Sequence, residues 1–439
     1  MAIWRKSVMA AAVAVLAFSG PVAQAWPGKP KPAAVSSLGL PRATPESVGF
    51  SSERLAKLDA TLNGIVDSGR LPGVLTLLAR HGKIIAVNAH GVKDVASGAP
   101  ITEDTIFRMY SQTKPVTGVA MMILYEEGRW RLDEPVTKYI PEFAGLKVFK
   151  GLDADGKPIL EPIARSATMR ELMTHTAGFA YGLVADNYVD KAYQESALFR
   201  QPSLKEGMSI LTTLPMASQP GEQWKYSVAV DIQGYIVEKL SGQTLPDFMR
   251  SRIFAPLQMN DTDFWTPEAK RGRMASLYMF SPRDRKIVPA EGFMVLPVDR
   301  LPDAANGGGG LVSTLRDYTR FAQMLLNGGE LDGVRILAPG TVKLMASNHL
   351  TELQLAKTPL GEGVGFGLDV AVVMDPAKAG TLAGKGTYSW GGAAGTWFWI
   401  DPENDVVFLG MIQVLGGSAA RLDELSQALV YQALVDPSK

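Results

Sequence analysis

The chain has 439 residues, 46% of them hydrophobic and 20% charged, with 44 basic and 44 acidic side chains. This is globular composition with material for a large core, and zero net charge gives no electrostatic reason to expect nucleic acid or an anionic membrane as a partner. There is no cysteine, and the four histidines, His81, His90, His175 and His349, form no H-x-x-x-H pair. Disulfides and thiolate catalysis are thereby excluded, and neither a metal nor another cofactor is expected.

Arg5 and Lys6, the apolar run Val8 to Phe18 and then Ala23-Gln24-Ala25 follow the order of a secretory signal cleaved after Ala25. The apolar run is shorter than the roughly 20 residues that span a bilayer. A periplasmic or secreted protein is therefore expected, with no membrane span after cleavage. Residues 26–43, rich in Pro, Ala and Ser, read as a flexible lead-in. Ser51-Ser52 then caps a helix with Leu55, Leu58, Leu62 and Ile65 at helical spacing, ended by Gly69. Val74 to Ala79 and Lys83 to Ala89 are β-rich runs around Arg80-His81-Gly82, a hairpin in which His81 and His90 read as turn residues rather than ligands.

Ser111 and Lys114 stand three apart at the start of the next helix. Such a pair shares one helix face, with Cβ atoms roughly 5–6 Å apart. A hydroxyl and an amine so placed can share a proton, which a serine nucleophile requires. The spelling alone is common, and an N-cap serine followed by a solvated lysine produces it too. Pro115 falls in the first turn, Val116, Val119, Ala120, Ile123 and Leu124 form an apolar stripe, and Gly128 ends the helix.

Thr168 and Glu171 form a capping box ahead of His175. With no carboxylate near it in sequence, His175 reads as tying a loop through backbone hydrogen bonds rather than as a general base. Tyr226 immediately precedes a helix carrying Val228, Ile232, Tyr235, Ile236 and Leu240. The helix dipole favours a phenolate there, and a packing tyrosine fits the position as well. The run Asn306 to Thr314 holds four consecutive glycines but lacks the G-K-[ST] of a phosphate loop, so it reads as a tight turn into a helix over 315–326. Phe366 to Val373, Trp397 to Ile400 and Val406 to Ile412 read as strands, and Leu422, Leu425, Leu429 and Leu434 mark a closing helix. Helix and strands at both ends with a helical middle predict an α/β (α+β) fold. Its sheet domain is drawn from 44–107 and 340–437, with a mainly helical domain over 108–339.

Three motifs in order, S-x-x-K at Ser111, Y-S-V at Tyr226 and W-G-G at Trp390, resemble the serine β-lactamase-like superfamily. The chain is most similar to the family VIII carboxylesterases and the related class C β-lactamases, over about 45 to 435. The resemblance implies an antiparallel sheet flanked by N- and C-terminal helices, with an inserted helical domain. It implies that Ser111 attacks an acyl carbonyl, that Lys114 and Tyr226 take its proton, and that the backbone N–H groups of Ser111 and Ala393 form the oxyanion hole. Trp390, Gly391, Gly392, Val228 and Tyr181 would line the substrate pocket. Class C enzymes usually carry Asn two residues after the tyrosine and a K-T-G third motif, where this chain has Val228 and Trp390. Losing an amide and a cation disfavours anionic amides and favours neutral apolar acyl groups. The expected activity is a carboxylesterase acting on small short-chain esters. The alternatives are a class C-like β-lactamase, a D-alanyl-D-alanine peptidase or an acyltransferase. Gly416-Gly417-Ser418-Ala419-Ala420 misses the last glycine of G-x-S-x-G, which argues against an α/β-hydrolase elbow.

Overall fold

Strand-forming runs from the two ends of the chain meet in the middle of one sheet. In the computed structural model, which describes residues 37–183, 186–281, 283, 286–292, 294–416 and 421–439, ten strands position the site. They are β1 (Gly73–Arg80), β2 (Lys83–Asp94), β3 (Ala99–Pro100), β4 (Ile106–Arg108), β5 (Val312–Thr314), β6 (Val364–Phe366), β7 (Ala371–Val373), β8 (Tyr388–Gly391), β9 (Thr396–Asp401) and β10 (Val406–Met411). The expected signal segment lies outside the described residues.

The main sheet runs β6-β7-β8-β9-β10-β1-β2-β3, antiparallel throughout. N-terminal β1 lies beside C-terminal β10, with Leu75 opposite Met411 and Arg80 opposite Val406. The hairpin between β1 and β2 turns on His81 and Gly82, both left-handed at φ 53° and 66°. A two-residue turn of that hand matches the strand twist. The His81 ring also meets the Asp405 carboxylate at 2.6 Å. His90 lies within β2 rather than at the turn and meets Asp67 at 2.7 Å.

Alternation along the strands sends successive side chains to opposite faces. Val74, Leu78, Trp399 and Phe408 pack with α1 (Ser52–Asp67) and α5 (Leu422–Tyr431). Leu75, Leu77, Phe398 and Leu409 face α2 (Lys114–Glu126), α3 (Ala229–Ser241) and α4 (Leu315–Leu326). Each leucine buried this way contributes about 1.5–3 kcal/mol. In α1, the Ser51 hydroxyl accepts the Arg54 N–H, and Leu55, Leu58, Leu62 and Val66 are the buried face. In α2, every residue from Lys114 to Leu124 is buried, not only a stripe. A helix covered on all sides is the core element of its layer.

Five further sequence expectations need correction. Ser111 does not sit in the α-helix itself but on a 3-10 turn, Tyr110–Thr113, that leads into it. The end of the expected flexible lead-in is packed: Leu38 and Leu40 are buried, and the Gly39 carbonyl accepts from Arg320 at 3.0 Å. Two leucines outweigh the linker-like composition around them. Phe366 to Val373 is not one strand but part of a hairpin, β6 and β7, bent at Asp369 with φ 63°. The glycine turn ends in a short strand, β5, whose Thr314 lies opposite Ile106 of β4. Helix α4, assigned by sequence to the helical domain, packs its Leu315, Phe321 and Leu325 into the core beneath the sheet.

Candidate active site

β4 delivers the chain to Ser111. The Met109 N–H donates to the Leu311 carbonyl at 2.8 Å, joining this segment to the glycine turn. Tyr110 then takes a positive φ of 46°, rare for a bulky residue. Its hydroxyl donates to the Met294 carbonyl at 2.7 Å, which pins the strained bend. Ser111 follows on the 3-10 turn, half-buried, and Lys114 opens α2 with no exposed surface. The Lys114 amine donates to the Ser111 hydroxyl at 3.2 Å and to the Gly308 carbonyl at 2.6 Å. One turn on, the Thr117 hydroxyl donates to the Gly307 carbonyl at 2.7 Å. The run of glycines is therefore not a ligand cradle. It is a segment threaded between α2 and α3, where a Cβ at Gly307 would stand 2.8 Å from the Val230 carbonyl and one at Gly308 2.7 Å from the Asp231 carboxylate.

Tyr226 comes in from the loop before α3. The Lys114 amine lies over its ring, 4.6 Å from the centroid, and 5.0 Å from that of Tyr181. The Tyr226 ring stacks on Tyr181 at 5.4 Å and contacts Trp390 at 5.6 Å. Its hydroxyl is buried and makes no hydrogen bond with a described residue, so the phenol approaches the amine by its face rather than by its oxygen. His175 holds this loop in place. Its Nδ1 accepts the Ser227 N–H at 3.2 Å, and its carbonyl accepts the Lys225 N–H at 2.9 Å. Burial, helped by Lys114, pushes the imidazole well below its usual range, so it is neutral. His175 thus ties a loop, as its sequence context suggested.

β8 supplies the opposite wall. Gly392 has no room for a side chain: a Cβ would run into the Met109 carbonyl oxygen and stand 2.5 Å from the Thr396 hydroxyl. This close approach brings Ala393 up to the Ser111 turn, and the Ala393 N–H donates to no backbone carbonyl among the described residues. Gly392→Ala is expected to fold with the Ala393 peptide displaced. If the Ala393 N–H has the oxyanion role expected from the sequence, the kcat for an activated ester should fall by about 10²- to 10³-fold, with little change in KM. Steady-state kinetics on the folded variant check this.

Two cavities, of about 640 and 630 Å³, meet at Ser111, and both also touch Leu183 and Ala393. The first is walled by Tyr181, Tyr193, Phe199, Leu296 and Pro302. The second is walled by Tyr226, Trp390, Gly391, Gly392 and Val372. Val228, expected in the pocket, lines neither: it is fully buried, and its N–H is bonded to the Ala180 carbonyl at 3.0 Å. As the N-cap position of α3 it faces the core, so its apolar character serves packing.

Sequence reasoning missed two buried acids near the amine. Asp231 accepts the Gly308 N–H at 2.9 Å, and burial pushes its carboxyl up to about 6. Asp369 accepts from the Gln233 amide at 3.0 Å and is pushed well above the carboxylate range, again by burial. The available signal was an acid and an amide set among the apolar residues of α3, in Val230-Asp231-Ile232-Gln233.

A buried amine against a serine hydroxyl, at the mouth of two apolar cavities and under an antiparallel sheet, defines the serine-hydrolase type of β-lactamase-like site. The comparisons agree. A profile of the beta-lactamase family matches residues 58–432, so the chain belongs to that family. It is 38% identical to protein Rv1367c of Mycobacterium tuberculosis over 363 residues, 81% of this chain and 88% of that one. It is 32% identical to esterase EstB of Burkholderia gladioli over 362 residues, 78% and 86% of the two chains. Among solved structures, EstCE1, described as a hydrolase with promiscuous acyltransferase activity, superposes with a TM-score of 0.72 at 26% identity, covering 86% of this chain and 99% of that one. Other relatives bear names of esterases, acyltransferases and D-alanyl-D-alanine carboxypeptidase-like proteins, and the superfamily is one of serine hydrolases.

Proposed function

We propose that this protein is a carboxylesterase that cleaves short-chain acyl esters through an acyl-enzyme on Ser111. The observation that carries the reading is the 3.2 Å contact from the Lys114 amine to the Ser111 hydroxyl at the junction of the two cavities. The Ser111 oxygen attacks the ester carbonyl, and its proton passes to the Lys114–Tyr226 pair. The Gly308 carbonyl holds one N–H of Lys114, which orients the nitrogen toward Ser111. The tetrahedral oxyanion is received by the N–H groups of Ser111 and Ala393. The alcohol departs with the proton from the same pair, and water then repeats the sequence on the acyl-enzyme.

The esterase reading is favoured over a β-lactamase or D-alanyl-D-alanine peptidase by Trp390, an indole where those enzymes place a cation. Its Nε1–H is buried with no partner among the described residues, and its ring lies against Tyr226 and Phe366. An indole there offers a substrate carboxylate one neutral N–H at most, in place of a full positive charge. The test is intact-protein mass spectrometry after brief exposure to acetyl and butyryl esters and to a cephalosporin, with parallel turnover of p-nitrophenyl butyrate and nitrocefin. The expected result is an acyl adduct on Ser111 from the esters and ester turnover much faster than nitrocefin turnover. The reverse ranking would make the protein a β-lactamase, and no adduct from any of them would overturn the serine mechanism.

A further inference from the structure

Asp231 stands on the first turn of α3, five residues beyond Tyr226, and is buried. One carboxylate oxygen accepts the Gly308 N–H at 2.9 Å, and the other has no partner among the described residues. The carbonyl of the same glycine accepts the Lys114 amine at 2.6 Å. A single residue thus carries the acid on its N–H side and the amine on its C=O side. Glycine is the residue that permits this, because a Cβ would press on the free Asp231 oxygen at 2.7 Å.

We propose that Asp231 is a positioning residue for acyl transfer: it anchors Gly308, and through it the Lys114 amine, and it supplies the buried countercharge that the amine needs once it has taken the Ser111 proton. This inference rests on the Ser111–Lys114 reading above. A buried cation left without an opposite charge is strongly unfavourable. The groups facing the carboxylate are Lys114 from α2, Tyr181 from the segment after His175, and the backbone of the glycine turn. Asp369 approaches Lys114 from the β6–β7 bend and is held by Gln233. Burial keeps that carboxyl well above the usual range. For Asp231, burial is partly offset by Lys114 and the Gly308 N–H, which leaves it at about 6. Asp231 therefore loses its charge as pH falls through about 6. The acid form removes the countercharge, so activity should decline as pH falls through that value.

The test compares Asp231→Asn, which keeps an acceptor for the Gly308 N–H but removes the charge, with Asp231→Ala, which removes both. Hydrolysis of p-nitrophenyl butyrate is followed from about pH 5 to 9, with thermal melting at pH 8 and Ser111 acylation read by mass. Asp231→Ala should lower kcat by about 10²-fold with KM changed less than about twofold. Asp231→Asn should lose less and should lack the acid-side inflection that the wild type shows. If Asp231→Ala does not fold, the pH profile of Asp231→Asn decides. Wild-type kcat and an unchanged pH profile in folded Asp231→Asn, with or without a lower melting temperature, would overturn the proposal while leaving Ser111 acylation standing. Absence of a wild-type Ser111 adduct would overturn both.

Discussion

Ser111→Ala is expected to abolish ester turnover, by on the order of 10⁴-fold or more, and to remove the acyl adduct altogether. The Ser111 hydroxyl makes one hydrogen bond with a described side chain, the 3.2 Å contact from Lys114. Lys114 keeps its stronger contact to Gly308 at 2.6 Å when the hydroxyl is gone. The fold should therefore survive, with a melting temperature close to that of the wild type. The loss would then be chemical rather than structural. Retained turnover of p-nitrophenyl butyrate in a folded Ser111→Ala protein would place the nucleophile elsewhere.

The second large effect is expected from Tyr226→Phe. The ring packs between Tyr181 and Trp390, meets the His175 ring at 4.8 Å and lies under the Lys114 amine. Phenylalanine preserves all four contacts. The hydroxyl it removes is buried without a partner among the described residues. An unpartnered buried hydroxyl costs free energy, so stability should stay level or rise. Proton transfer by a positioned side chain contributes about 10²- to 10⁴-fold, and kcat should fall within that range. A more stable but slower variant is the signature of a group kept for chemistry. Equal activity in the two proteins would reduce Tyr226 to a packing residue and leave Lys114 as the base by itself.

These two residues differ in how they can be read from the sequence. Ser111 and Lys114 are legible because one turn of backbone brings them together. Tyr226 has no local signal, and only the ordered resemblance of three motifs picks it out. The central strands are legible as short β-rich apolar runs, since both their faces are covered, and the terminal helices are legible from helical spacing. α2 reads as a stripe and proves buried on every side, since nothing in its own sequence says how many neighbours will cover it. The four glycines after Asn306 could be recognised as a turn, but their reason lies in α2 and α3, which close on them from both sides. Asp231 went unnoticed because an acid in the first turn of a helix is an ordinary partner of the helix dipole. Only the fold shows that this one is buried against a backbone N–H. Val228 erred in the other direction: the comparison of motifs put it beside the substrate, and the N-cap geometry of α3 turns it into the core.

The junction of two chambers at one hydroxyl bears on what the second half of a catalytic cycle can produce. In the proposed acyl-enzyme cycle an ester lying across Ser111 would put its acyl part in one cavity and its alcohol part in the other. When the alcohol leaves, the acyl group remains tethered and the vacated chamber, about 630 or 640 Å³ according to orientation, stands open. Its walls are largely hydrocarbon and aromatic, so an incoming organic alcohol is solvated there better than water is. Under the proposed mechanism the balance between hydrolysis and transfer would then depend on which molecule refills that space, and product composition would follow the supply of competing acceptors in the medium.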